Sequence, residues 1–350
     1  MHGTYSISVI TSDTDLGEAA PYPEITADQW IPHEPGIQIF YASKKTLTIP
    51  LIRNLVNTVA PDFIYLNSLY SLRYTIMPLF LLWRSKIQSR VVLSPRGMLR
   101  ESAIRLKSSK KKIFIQFLNT MRVPEKIRFH ATDNQEKKDV LKYFPGAGKV
   151  EMISNFSAAL PAVLMPVEKV KGSLRCVFIS RIMGIKNINF FLNLLSRLPD
   201  DVQLEFGIYG EIEDAGYWEE SKKIIQSLPA NIRITYGGPL PHNKVIPTLE
   251  KFHVFVLPTQ GENFGHAIFE ALSAGRIVLI SNNTPWRSLR EKEIGWDLSL
   301  EKEEQWIGAL IELAGFDQSA FDQWSGHCRQ YAGSAADSNS LRKSYQNLFS

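Results

Sequence analysis

From Ile7 to Ser281 the chain repeats one unit: a short run of β-branched and aromatic residues, then a stretch long enough for an amphipathic helix. The strand-like runs are ISVIT (7–11), FIYLN (63–67), RVVLS (90–94), KIRFHAT (126–132) and VEMIS (150–154), then RCVFIS (175–180), VQLEFGIYG (202–210), IRITYGG (232–238), HVFVLPT (253–259) and RIVLIS (276–281). Strands that alternate with helices pair in parallel and bury both faces, so the pattern predicts an α/β protein with doubly wound sheets. It lapses from Asn155 to Gly172, where small residues, Pro161, Pro166 and the charged stretch EKVKG read as a linker. A chain of 350 residues exceeds one ordinary core. The expectation is a domain over residues 1–160, a second over 170–334, and a final helix over 335–350 whose Leu341, Tyr345 and Leu348 pack back on the first domain. Two such domains face a ligand cleft at the carboxyl ends of their strands.

Composition removes several alternatives. The two cysteines, Cys176 and Cys328, are far apart and lack further ligands at metal spacing, which argues against a disulfide framework and a zinc site. The most apolar run, Thr75–Trp83, is too short to span a bilayer and reads as a buried helix. No secretory signal pattern is visible, so the expected setting is cytoplasmic. Arg96, Arg100, Arg105, Lys107, Lys110, Lys111 and Lys112 meet one acid, Glu101, so this stretch alone exceeds the net charge of +5. Positive charge confined to one patch, without interleaved aromatics, argues against a nucleic-acid partner. Asp13, Thr14 and Asp15 form a triplet that holds a divalent metal in a different fold. Beside Gly17 they read as loop chemistry, and no metal is expected.

Chemistry concentrates in PTQGENFGHAIFEALSA, residues 258–274. A strand ends, a glycine-bearing turn follows and a helix starts near Gly265, so the amides of Asn263, Phe264 and Gly265 point outward as a helix-terminal anion site. Ile268, Ala271, Leu272 and Gly275 make the apolar stripe, which leaves Glu262 and Glu270 toward the cleft. The turn SRIMGIKN supplies Arg181 and Lys186, a fork and a point charge that suit a diphosphate at a strand's carboxyl end. Taken singly, the acids also read as solvated first-turn charges and the bases as surface residues opening an ordinary helix.

Together, ISRIMGIKNINFFLNLL and GENFGHAIFEALSAG resemble the retaining GT-B glycosyltransferases of family four, the group 1 glycosyltransferases, in a strand–Arg–Lys–helix element and two glutamates separated by seven residues. The resemblance implies two Rossmann-like domains and hexosyl transfer from a nucleotide-sugar donor of UDP or GDP type. It assigns Arg181 and Lys186 to the diphosphate as electrophilic catalysts, Glu270 to the ribose, and Glu262 with the amides of Asn263, Phe264 and Gly265 to the transferred sugar. The backbone of GGPL, including Gly238 and Leu240, falls to the base. In the N-terminal half, DFIYLNSLYS, LSPRGMLRESAIRLKSSKKKIF and FHATDNQEKKDV resemble members from surface-polysaccharide pathways. This implies a glycan or lipid-linked acceptor, with Arg96 and Gly97 on the acceptor side and no cofactor or metal. It also implies polysaccharide biosynthesis at the inner face of the membrane. The basic patch Arg96 to Lys112 is expected to meet an anionic acceptor or the cytoplasmic membrane surface, and read by composition alone it is equally a solvated helix face. Other branches carry a histidine in this domain; here Asn67 and Ser94 to Arg96 occupy the corresponding turns, and no general base is named.

Two readings compete with transfer. A phosphorylase or starch synthase of the same fold usually needs longer insertions, while a non-catalytic nucleotide-binding or scaffold protein keeps the donor pocket after losing transfer. The resemblance further implies that YSISVITSD, opening at Tyr5, corresponds to the family's second strand. The expectation is an N-terminal domain lacking its first strand, loop and helix, with a central strand position unfilled and weak transfer.

Overall fold

The computed structural model describes the chain except residues 1–4, 15–19, 24, 44–45, 85–87, 106–107, 156–159, 162, 164 and 336–337. It forms two compact units, Met1–Ser154 with Asn339–Ser350, and Asn155–Ser338.

The first unit contains β1 (Ile7–Ser12), β2 (Trp30–Glu34), β3 (Ile37–Ala42), β4 (Phe63–Asn67), β5 (Arg90–Ser94), β6 (Arg128–Ala131) and β7 (Lys149–Met152). These strands make two sheets, in the orders β1-β3-β2 and β4-β5-β6-β7. The second is parallel throughout, whereas β2 runs antiparallel to β3. The β2–β3 hairpin escaped the sequence pattern because Pro32, His33 and Glu34 break the apolar alternation, which only an edge strand tolerates. Among the described residues, β1 and β4 each have a single strand partner. Of the run Thr75–Trp83 expected as a buried helix, Met77–Trp83 forms a helix that is amphipathic instead: Leu79 and Leu81 are buried while Phe80 is exposed.

The last helix, Ser338–Leu348, belongs to this first unit, and Tyr345 and Leu348 share an apolar cluster with Val92 and Ile153. Arg128 donates to the carbonyls of Leu348 (3.0 Å) and Ser350 (2.8 Å), a cation at a helix C-terminus. Asp337, expected within this helix, lies outside the described residues.

The second unit is one parallel sheet of β8 (Ser173–Ile179), β9 (Gln203–Tyr209), β10 (Ile232–Tyr236), β11 (Val254–Leu257), β12 (Ile277–Ser281) and β13 (Gly295–Leu298). Its order is β10-β9-β8-β11-β12-β13. The chain winds outward from β8 to β10 and then, from β11, the other way, so the topological switch lies between β8 and β11, and ligands of open α/β sheets bind beyond the carboxyl ends there. Those two ends carry the turn Arg181–Lys186 and the loop Thr259–Gly265.

The stretch read as a linker is pinned to this unit. Lys169 is buried and donates to the carbonyls of Val170 and Ala314 (both 3.0 Å) and Phe316 (2.8 Å). Buried Arg276 donates to the carbonyls of Met165, Phe252 and Ala274. Charge in a sequence signals exposure, but a cation that meets several carbonyls is tolerated inside. Cys176 and Cys328 are buried and unpaired.

Candidate functional site

At the carboxyl end of β8, Ile182 is fully buried and bridges Ile212, while the adjoining Arg181 is exposed. The carbonyl of Ile185 accepts from the amide of Gln260 (2.8 Å) and the hydroxyl of Thr259 (3.1 Å), so this turn is stitched to the loop after β11. Across that seam Lys186 Nζ donates to Glu262 Oε2 at 2.6 Å, with side-chain exposures of only 12% and 19%. Arg181 is not beside it in this pairing: its guanidinium meets Glu213 (2.7 Å) in an exposed ion pair. The Asn263 amide, expected to point outward, donates to Glu262 Oε1 at 3.1 Å. Glu262 therefore sits as an internal anion between an ammonium and a loop amide, both donors of the kind that bind phosphate; the amide of Asn263 lies two residues before the N-cap Gly265 and is not the helix-terminal amide expected from the sequence.

The helix begins at His266, with Gly265 as its N-cap in the left-handed region (φ 79°). A Cβ on Gly265 would lie 2.7 Å from Ile268 Cδ1 and 3.2 Å from Glu262 Cγ. Gly265→Ala is therefore expected to lose roughly 1–2 kcal/mol of stability and to loosen Glu262, read by thermal melting and nucleotide-sugar binding. Unchanged melting and binding would refute this.

Glu270, one turn further on, is 12% exposed in its side chain, and its ion-pair partner is His242 Nδ1 at 3.7 Å. His242 opens the helix His242–Leu249 directly after the turn containing Gly238 and Leu240, so the positions expected at ribose and base are neighbours. Burial raises the Glu270 pKa above the ordinary carboxylate range, with the charge of His242 acting in the opposite sense. If ribose hydroxyls donate to this group, binding needs its ionised form. Nucleotide affinity is then expected to be full at alkaline pH and to fall on acidification through the raised pKa, before an ordinary glutamate would protonate. Glu270→Gln should bind more weakly and lose that pH dependence. Calorimetric titrations across pH check this, and parallel profiles for both proteins would refute it.

In the first unit Arg96 follows β5 with a left-handed backbone (φ 54°), and Gly97 continues it (φ 75°). Arg96 donates through Nε to Asn67 (2.6 Å) and through Nη2 to the Tyr65 hydroxyl (3.1 Å), joining the carboxyl ends of β4 and β5. His130 Nε2 lies 2.7 Å from the Ile153 carbonyl and so carries the proton, while Nδ1 accepts from Tyr65 (2.7 Å). Burial lowers the His130 pKa, the Ile153 carbonyl opposing it. Fully buried, this histidine supports Arg96 through Tyr65. Glu136, also fully buried, accepts from the Gly97 amide (2.5 Å) and from the amide and hydroxyl of Thr132 (both 2.7 Å).

The basic stretch is not one solvated face. Arg100 pairs with Asp133 (2.6 Å) and Lys111 reaches the Ala103 carbonyl (2.6 Å). Lys110 and Lys112 remain exposed, beside exposed Ile113 and Phe117 on the helix Ser108–Thr120. Lys107 lies outside the described residues. Among those residues no helix is long and apolar enough to cross a membrane.

Residues 166–307 match the family described as glycosyl transferases group 1. No curated protein sequence matches the chain closely enough to count as a relative. Solved structures are similar in fold at low identity. A point mutant of S. aureus TarM, in complex with fondaparinux, alpha-GlcNAc-glycerol and UDP, is 15% identical over 86% of this chain, which spans 58% of the TarM chain (TM-score 0.62). Sucrose-phosphate synthase from Thermosynechococcus elongatus is 14% identical over 99% of this chain and 88% of its own (TM-score 0.71). Anabaena Alr3699/HepE in complex with UDP-glucose is 11% identical over 89% of this chain and 85% of its own (TM-score 0.64). Residues 166–307 thus carry the pattern of the group 1 glycosyl transferases, in a chain whose two α/β units have the GT-B fold.

Proposed function

We propose that this chain transfers a hexosyl group from a UDP- or GDP-sugar to a glycan or lipid-linked acceptor with retention of anomeric configuration, in polysaccharide or cell-envelope glycan synthesis. The observation that carries this reading is the switch point of the second unit, where Lys186, Glu262 and the N-terminus of the helix His266–Ser273 converge. TarM bound to UDP and HepE bound to UDP-glucose support a nucleotide-sugar donor.

In this reading Arg181 and Lys186 leave their carboxylate partners for the diphosphate. Glu262, released, takes hydroxyls of the transferred sugar together with the amides of Asn263, Phe264 and Gly265. Glu270 takes the ribose, and the backbone at Gly238 and Leu240 takes the base. The acceptor oxygen bonds to the anomeric carbon as the carbon–phosphate-oxygen bond breaks, and the acceptor proton passes to the departing phosphate. Arg181 and Lys186 stabilise the charge that develops there, without a resident metal or cofactor in the scheme. Arg96 and Gly97 serve the acceptor side.

A thermal-shift screen with UDP and GDP, followed by transfer assays with the matching sugars, tests this. A nucleotide at a hundred times its Kd should stabilise the protein by about 2.7 kcal/mol. No response to either nucleotide would overturn the reading, and binding without transfer to any acceptor would favour the scaffold alternative.

We place the chain in the cytoplasm, at the inner face of the membrane, with Lys110, Lys112, Ile113 and Phe117 as the contact. Exposed apolar residues beside lysines suit an anionic lipid surface, at about 1 kcal/mol per basic residue and weakening with salt. Cosedimentation with phosphatidylglycerol vesicles should exceed that with phosphatidylcholine vesicles at low salt, and equal binding would argue against it.

A further inference from the structure

We infer that Trp286 is a positioning residue for the transferred sugar, acting through its hydrogen bond to the carbonyl of Phe264; this rests on the proposed role of the loop Glu262–Gly265. Trp286 ends the segment Ser281–Trp286, which opens on the last residue of β12; in it the buried Thr284 hydroxyl accepts from the Trp286 amide (3.3 Å) and Pro285 restricts the turn. The indole is buried, and its Nε1 donates to Phe264 O at 2.6 Å. Its ring packs edge-on against Phe264 and Tyr331, with centroids 5.8 and 6.2 Å away. Indole nitrogen can only donate, so the direction of this bond is fixed.

The carbonyl of Phe264 and the amide of Gly265 belong to one planar trans peptide, whose C=O and N–H point in opposite directions. Tying the carbonyl to Trp286 therefore aims the Gly265 amide away from the indole. This peptide needs such a tie, because Gly265 is the residue of the loop with the widest backbone freedom and has no side-chain cap. The same segment holds the other end of the loop: Asn283 O accepts from the Glu262 amide (3.0 Å), and the Ser281 hydroxyl donates to Thr259 O (2.5 Å). Diphosphate contacts at Arg181 and Lys186 lie on the β8 side and do not pass through Trp286.

Trp286→Phe removes the N–H together with part of the buried indole, so the readout is the difference between the two ligands. Calorimetry should use UDP against UDP-glucose, or GDP against GDP-mannose, matched to the nucleotide that the wild type binds. The variant is expected to bind the bare nucleotide within about twofold of wild type and the nucleotide sugar about three- to tenfold more weakly. Its melting temperature should fall by the few degrees that a smaller buried ring costs, while β11 and β12 keep their amide protection. Wild-type affinity for both ligands, or an equal loss for both, would overturn the inference. A wild type that binds nucleotide and nucleotide sugar equally would instead overturn the reading of the loop, and the inference with it.

Discussion

Lys186→Ala is expected to weaken nucleoside diphosphate binding roughly ten- to hundredfold, the consequence of losing one charge-assisted contact worth about 1.5–3 kcal/mol. The geometry places this residue above Arg181 in expected effect. Lys186 is largely shielded from solvent and held 2.6 Å from Glu262, so its ammonium is already ordered and acts in a reduced dielectric. Its removal also leaves the Glu262 carboxylate facing an incoming phosphate without a counter-ion. Arg181, exposed with Glu213, should lose less on replacement by Ala, because solvent screens exposed charges. Calorimetry with UDP and GDP at fixed salt reads both. If repulsion contributes, Glu262→Gln in the Lys186→Ala background should recover part of the affinity for the bare nucleotide. Unchanged affinity for Lys186→Ala would remove the residue from the donor site.

Glu136→Ala is expected to cost the first unit roughly 3–5 kcal/mol, the largest stability effect among the polar residues near Arg96. Three donors lose their acceptor at once: the Gly97 amide and the amide and hydroxyl of Thr132. Each buried donor left unsatisfied costs about 1–3 kcal/mol, less whatever relaxation or water recovers. The turn at Arg96 and Gly97, both at positive φ, loses its anchor in the same step. Guanidinium unfolding with segment-resolved hydrogen exchange should show residues 90–136 opening early, while β8–β13 and the nucleotide response persist. A loss under 1 kcal/mol would show that the Arg96 turn is held by other means.

Much of the fold was legible because burial imprints a period on a single element. FIYLN and RVVLS coincide with β4 and β5, and the stripe Ile268, Ala271, Leu272 is fully buried against the sheet. The hairpin of β2 and β3 and the strand β13 were not, since Pro32, His33 and Glu34 in the one and Gly295 and Asp297 in the other interrupt the apolar run. Lys169 read as part of a charged linker for a related reason: composition reports a charge and not the carbonyls that surround it. His130 stood in the strand-like run KIRFHAT, and a polar residue inside an apolar run was the signal that could have marked it.

By itself the sequence determined most of the alternation of strands and helices, the division into two α/β units, and the placing of Arg181, Lys186 and Glu262 past strand ends with Glu270 on the helix that follows. Each of those follows from residues close together in the chain. Only the tertiary structure decided that Lys186 meets Glu262 while Arg181 meets Glu213, that Glu136 anchors Gly97, and that Trp286 reaches Phe264. Such pairs join loops from different strands, and which loops become neighbours is set by the order of strands in the sheet, where β11 lies beside β8 although the chain has passed through β9 and β10 between them.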